Sequence, residues 1–312
     1  MSAQPCRPGA FTKRRARLFL AGVALCFAFA RDSSSENRVV LLPRLHAGQS
    51  LRYQIHGRVQ RDVVTESRVT SMMKPPDLKE DISLGLQIAI KQVRMENGRP
   101  VVTAQGEFQF PNDASGTSGA SANPKLDFTI DGAGRLQKSE GFDNLEPEQR
   151  LVWQFWIARF AYGWTLPVEG VKPGQTWKTE EAEQTPGPIA NLVWEQETTY
   201  GPNDKCVTVP AEKCAVFLTT AKLKQKSSPK DTTPEEYKLH ELKTSGTTSG
   251  SNEIFTSISL KSGLVVRATE EGKQSMDVEI AKTDKTNAIH YKLKATSRFE
   301  MVIVPDAKSQ RP

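Results

Sequence analysis

The side chains able to carry chemistry in this 312-residue chain are ordinary in number and scattered in position. Two stretches fit the S-x-x-K spacing in which a lysine can take the proton of a serine nucleophile: Ser71-Met72-Met73-Lys74 and Ser227-Ser228-Pro229-Lys230. Neither has the companion motifs of such enzymes, no G-x-S-x-G elbow occurs, and about two matches of this kind are expected by chance. His46, His56, His240 and His290 show no metal-ligand spacing. Asp127 and Asp131 bracket Phe128-Thr129-Ile130, but the glutamate that ends a calcium loop is absent, so hairpin chemistry explains them. Glu146 and Glu148 are the first candidates for acid–base work, and a helix N-terminus already accounts for them. No glycine-rich loop of the phosphate-binding type is present. The residues thus point to a non-catalytic protein with no metal and no cofactor.

What does stand out is aromatic. The stretch NLEPEQRLVWQFWIARFAY, 144–162, has Asn144 as a cap, acidic residues and Pro147 in its first turn, and Gly163 as a stop, which predicts a helix. Its apolar residues cover more than one stripe, so it should be buried on most sides. Trp153, Trp156, Phe160 and Trp164 then have two uses: a plug of core, or a wall that contacts an apolar ligand. The second chemical feature is Cys206 and Cys214. A hairpin turning at Pro210 would set them opposite each other, within disulfide reach. A redox pair is the weaker reading, since reactive dithiols sit two residues apart at a helix start.

A disulfide needs an oxidising compartment, and the N-terminus supplies the route. Lys13, Arg14, Arg15 and Arg17 precede the apolar run 18–30, LFLAGVALCFAFA, and Ala28-Phe29-Ala30 offers the small-x-small pattern of a signal peptidase site at Ala28 and Ala30. Thirteen apolar residues fall short of the ~20 that span a bilayer. The alternatives are a lipid anchor at Cys26, opposed by Leu25 before it, and an uncleaved N-terminal anchor. Cleavage changes the charge. The whole chain has 42 basic and 36 acidic residues, +6, and residues 1–30 hold five basic residues and no acidic one, so the remainder is 37 against 36, +1. That balance gives no support for phosphate-backbone binding, whose footprint is a clustered basic face, so no nucleic-acid partner is expected.

After a polar linker at 31–37, the chain reads as one β-rich domain over 38–304, followed by a disordered tail at 305–312. Leu51, Tyr53, Ile55 and Val59 alternate along one strand, and Ile82, Leu84, Leu86, Ile88 and Ile90 along the next. Asn97-Gly98 turns this strand into Val101–Phe110. Further strands are expected at 128–130, 190–200, 214–224, 237–245, 253–260, 263–271, 275–283 and 289–304, with turns at 131–134, 261–263 and 284–287. The predicted fold is mainly β: a large curved antiparallel meander, as a half-barrel or open barrel, around one buried aromatic helix. Segments 111–124 and 226–236 read as mobile surface loops. Gly48-Gln49-Ser50-Leu51-Arg52 and Gly174-Gln175-Thr176-Trp177-Lys178 open two runs of strands that echo each other. They suggest sub-units 38–141 and 165–304 joined by the helix, although a single meander also explains them.

The strand openers, the segment Phe128-Thr129-Ile130-Asp131-Gly132-Ala133-Gly134-Arg135-Leu136 and the lone aromatic helix resemble exported bacterial β-proteins of an uncharacterised family. The layout is also similar to half-barrel carriers of the lipoprotein-localisation type, which are smaller and have more than one helix. The resemblance implies a curved sheet closed by helix and transfers no functional residue. Two functions follow as expectations. One is a periplasmic or extracellular carrier of a lipid or other apolar ligand, with no membrane span after signal removal. The other is a structural or interaction module that meets an envelope protein partner.

Overall fold

The structure, a computed structural model, describes residues 38–67, 78–109, 124–183, 187–209, 211–282 and 288–305. All of them belong to one compact unit, Asn37–Pro312. The expected signal segment and linker, nearly all of the expected 111–124 loop, the expected 284–287 turn, the Ser71–Lys74 motif and the tail past Pro305 lie outside them.

Twelve strands form one curved antiparallel sheet that is not closed into a barrel. The first half is β1 (Ser50–Ser67), β2 (Leu78–Glu96), β3 (Arg99–Gln109), β4 (Lys125–Ile130) and β5 (Leu136–Glu140). The second is β6 (Thr176–Ala182), β7 (Leu192–Tyr200), β8 (Asp204–Lys205), β9 (Lys213–Gln225), β10 (Leu242–Ser259), β11 (Val265–Lys282) and β12 (Ile289–Ile303). The spatial order is β5-β4-β3-β2-β1-β12-β11-β10-β9-β7-β6, with β8 added on β9. The first and last strands of the chain thus pair at the centre, and β5 and β6 are the edges. Edge strand β6 carries Lys178, Glu180 and Glu181, charges that discourage pairing with another sheet.

Alternation along each strand sorts the side chains onto two faces. On the inner face one row runs through Ile55, Met301, Ala268, Thr256, Phe217 and Tyr200, all buried. On the outer face charges alternate in sign, as in Arg58–Asp81 at 2.6 Å, Arg267–Glu300 at 2.8 Å and Lys178–Glu197 at 3.1 Å. Curvature crowds the inner face, and glycine relieves the crowding. A Cβ on Gly57 would overlap the Phe299 ring, and one on Gly106 would stand 3.2 Å from Trp153.

The aromatic helix α1 spans Pro147–Phe160 and packs on this inner face. Tyr53 of β1 meets Trp156 edge-on at 5.9 Å, and Phe299 of β12 stacks on Phe155 at 5.1 Å. Its ends correct the expected 144–162. Asn144 sits in a 3₁₀ turn, Phe142–Asn144, and the N-cap is Glu146, whose N–H donates to the Gln149 side chain at 2.9 Å. Gly163 does not stop the chain, which makes another helical turn, α2, over Tyr162–Thr165. Gly163 is there because Leu41 of the N-terminal strap, 38–45, crosses against it.

Further boundaries differ from expectation. Residues 237–241 are not strand: the short helix α3, Glu235–Leu239, and the turn after it occupy them, and β10 begins at Leu242. The pairs expected at 237–245 and 253–260, and at 263–271 and 275–283, are the continuous strands β10 and β11. The 226–236 segment is anchored rather than loose. Thr232 and Thr233 are buried, and their hydroxyls meet Thr244 of β10.

The two glycine-glutamine openers share one local geometry. Gly48 and Gly174 have φ of +81° and +82°. Gln49 and Gln175 each accept, through the side-chain oxygen, the N–H three residues back at 3.2 Å. Gly48 then donates to Ile90 at 2.9 Å, and Gly174 to Tyr200 at 2.7 Å. Each opener therefore starts its strand beside the hairpin partner that follows it.

The Cys206–Cys214 disulfide is formed, with its Cα atoms 5.1 Å apart. The register differs from a directly opposed pair. Asp204 faces Cys214, and the Cys206 N–H donates to Glu212 at 3.0 Å, so the bridge runs diagonally. It packs with Val266 in a small second core on the outer side of the sheet.

Candidate functional site

The residues with chemical potential do not converge at the places the motifs suggested. Glu146 is exposed at the start of α1, and Glu148 follows it on the same turn. Asp131 belongs to its turn: it accepts the N–H groups of Ala133 at 2.8 Å and Arg135 at 2.9 Å, and the Arg135 guanidinium. Burial works to raise this carboxyl, and those hydrogen bonds outweigh it and hold it below the usual range. Ser228, not Ser227, accepts the Lys230 N–H. His46, His56, His240 and His290 stay apart, and among the described residues no cluster of three or more His, Cys, Asp or Glu could hold a metal.

The aromatic set does converge. Trp153, Trp156, Phe160 and Trp164 are each at most 1% exposed and form a continuous stack on α1 and α2. Centroids lie 5.1 Å apart from Trp153 to Trp156, 4.7 Å from Trp156 to Phe160 and 5.6 Å from Phe160 to Trp164. Phe128 of β4 closes edge-on against both Trp153 and Trp156.

Hydrogen bonding divides these rings into two kinds. Trp164 is anchored: its indole N–H donates to the Pro100 carbonyl at 2.7 Å. Arg99 completes that clamp by donating to the carbonyls of Gly132, Trp164 and Leu166. Trp153 and Trp156 have no such partner. Their indole nitrogens are buried without a hydrogen bond, and so are the Tyr53 hydroxyl and the Arg159 Nε. A buried polar group without a partner costs about 1–3 kcal/mol, so four of them against one helix is an unusual concentration. Burial also pushes the Tyr53 phenol well above its ordinary range, which keeps it a neutral O–H.

Around Arg159 the inner face turns polar. Its Nη2 lies 3.6 Å from Glu270 of β11, and both side chains are largely buried, at 15% and 18% exposed. Asn252 of β10 holds the same carboxylate through a 2.8 Å hydrogen bond. Next to them the Thr198 and Thr219 hydroxyls pair at 2.8 Å. Burial raises the Tyr162 phenol, while those two hydroxyls and the Arg159 charge work against the rise. Arg159 was missed in the sequence reading. Its signal was available: it lies three residues after Trp156 and six after Trp153, a cation on the buried face of an otherwise apolar helix.

Beyond α1 the same face continues along the long strands as a mixed surface, where Glu80 stands opposite Val59 and Arg61 opposite Ala295. Val59, Ser297, Gly272, Asn252 and Ala221 make one row. Ala295, Gln274, Gly250, Leu223 and Trp194 make the next. Val63, Leu293 and Met276 follow. Ala295, Leu293, Met276, Val63 and Trp194 remain half-buried there. A separate cavity of about 220 Å³ lies by the N-terminal strap, between Val40, Leu42, Asn97, Arg99 and Pro167, and none of the four aromatic residues lines it.

Fold and site together define an open, curved antiparallel sheet with an aromatic helix seated on its inner face and unpartnered donors between the two. No family model and no curated protein matches the chain. Among solved structures, it is similar to the crystal structure of Pseudomonas aeruginosa OccK11 (OpdR), at 6% identity over 86% of this chain and 100% of that one. The TM-score is 0.15, a similarity that carries no argument about fold or function. No helix among the described residues is long and apolar enough to cross a membrane, which says nothing about strands.

Proposed function

We propose that the protein is an exported, non-catalytic carrier that holds an apolar or amphipathic ligand against the inner face of its sheet. The observation that carries this reading is the set of unpartnered buried groups at the helix–sheet contact: Tyr53 Oη, Trp153 Nε1, Trp156 Nε1 and Arg159 Nε. The tryptophan and arginine nitrogens are donors only, so the group that completes them is an acceptor. The disulfide supports an oxidising compartment, and the apolar run 18–30 supports export by a cleaved signal. The resemblance of the sequence layout to half-barrel carriers supports this reading at the level of fold alone.

Packing favours a second reading. Trp153, Trp156, Phe160 and Trp164 fill their part of the inner face ring on ring, as the core of a purely structural envelope module would. Tryptophan fluorescence separates the two. Titrating the exported protein with a long-chain amphiphile should shift and quench emission saturably, and Trp156→Phe should reduce the change. A flat titration with several amphiphiles would favour the structural module.

A further inference from the structure

Strand β6 ends the sheet, and its hydrogen bonds show which backbone groups it leaves at the edge. The Glu183 N–H donates to Leu192 at 2.9 Å and the Tyr200 N–H donates to Gln175 at 2.9 Å, so the odd-numbered residues of β6 bond to β7. By alternation Lys178 and Glu180 turn their N–H and C=O groups away from β7, along the open edge. The chain cannot close its own sheet on them in the antiparallel manner of its other pairs. An even number of antiparallel steps separates β5 from β6, so those two edges run in the same direction.

The side chains select the partner. Two copies of β6, antiparallel about a two-fold axis at Thr179, set Lys178 of each copy opposite Glu180 of the other. Both residues lie on the outer face, and their open backbone groups meet in hydrogen-bonded positions, so charge and register agree. An axis at Lys178 or at Glu180 would oppose like charges, and one at Trp177 or at Glu181 would leave those ions facing Thr176 or Ala182. Each chain also extends the pairing inward: Lys226 lies 3.1 Å from Glu180, and Glu197 lies 3.1 Å from Lys178. Across the axis these join as Lys226–Glu180–Lys178–Glu197, alternating in sign and repeated by the two-fold, a network rather than an isolated surface pair. Glu180 further stands directly opposite Glu195 of β7, a like pair that a second cation relieves. Charges that discourage a foreign strand therefore suit a second copy of this one.

We infer that the protein forms a two-fold dimer through β6, paired antiparallel with a second copy about Thr179. The pairing joins two sheets edge to edge with their inner faces on the same side, and it holds whether or not those faces carry a ligand. Two seven-residue strands make a small interface, at the weak end of specific ones, so the dimer is reversible. Sedimentation of the exported protein from low micromolar to millimolar concentration should show monomer giving way to dimer. Lys178→Glu or Glu180→Lys alone should weaken association at least about tenfold, because two like pairs replace two attractive ones. Lys178→Glu combined with Glu180→Lys should restore it. Lys178→Pro removes an N–H that β7 does not use, so it should keep the fold and lose the dimer. Thr179→Cys should join two copies through a reducible disulfide, since a non-hydrogen-bonded pair brings the Cα atoms to about 4.5 Å. Glu181→Cys should not, because its two copies lie about 13 Å apart along the strands. A protein that stays monomeric throughout, a dimer that both single reversals leave intact, or equal crosslinking from positions 179 and 181 would overturn the assignment.

Discussion

Single side chains in the aromatic cluster differ in whether they anchor the helix. Trp164 makes the hydrogen bond that fixes the end of the helical region to β3, whereas Trp153 and Trp156 make none. Replacing Trp164 by Phe should therefore cost more stability than replacing Trp153 or Trp156 by Phe, by about 1–2 kcal/mol, because it also strands the Pro100 carbonyl. Urea denaturation of the three variants measures the difference, and equal costs would remove the distinction. Asp131 gives a prediction in pH. Its carboxyl is held below the usual range in the folded protein, so it contributes stability above its unfolded pKa, which fades as pH falls through the lower folded value. Asp131→Asn should thus destabilise at neutral pH and cost progressively less in acid, below about pH 4. Thermal melts of both proteins from pH 7 to pH 3 should converge.

The elements were legible in the sequence where one physical signal dominated. Strict alternation from Leu51 to Val59 and from Ile82 to Ile90 marked β1 and β2, and the Trp and Phe spacing marked α1. Legibility failed where polar residues build regular structure. The expected strands stop at 245 and resume at 253, yet Thr247–Asn252 is the middle of β10: β11 pairs along all of it, β9 joins at Gly250, and that glycine fits beside Trp194 and Leu223. The 226–236 segment reads as loose until Thr232 and Thr233 are seen bonded to Thr244. The donors at the helix–sheet contact were half legible: the rings were identified, while Arg159 and Glu270 meet only through the fold. Elements also predict stability. Cys206→Ser with Cys214→Ser opens a short loop and should cost about 2–3 kcal/mol in the chain-entropy view, as a lowered denaturation midpoint. Arg99→Met removes a clamp of three carbonyls between the β2–β3 turn and α2. It should cost at least as much as the disulfide, and selective hydrogen exchange at 161–166 would show where.

At the scale of the molecule, the two strand runs meet through β1 and β12 at the sheet centre, while β5 and β6 are its edges. An open sheet keeps the inner face accessible beyond the helix, which is what a carrier requires and a closed, filled barrel would deny. The near-neutral charge after residue 30, distributed as alternating pairs on the outer face, leaves that inner face as the distinctive surface. The most direct measurement is native mass spectrometry of the protein produced with its own export segment and purified without detergent. The account predicts a processed chain carrying a non-covalent adduct that extracts into organic solvent, and an adduct reduced in Trp156→Phe. A processed chain at its bare sequence mass, before and after incubation with long-chain amphiphiles, would contradict it.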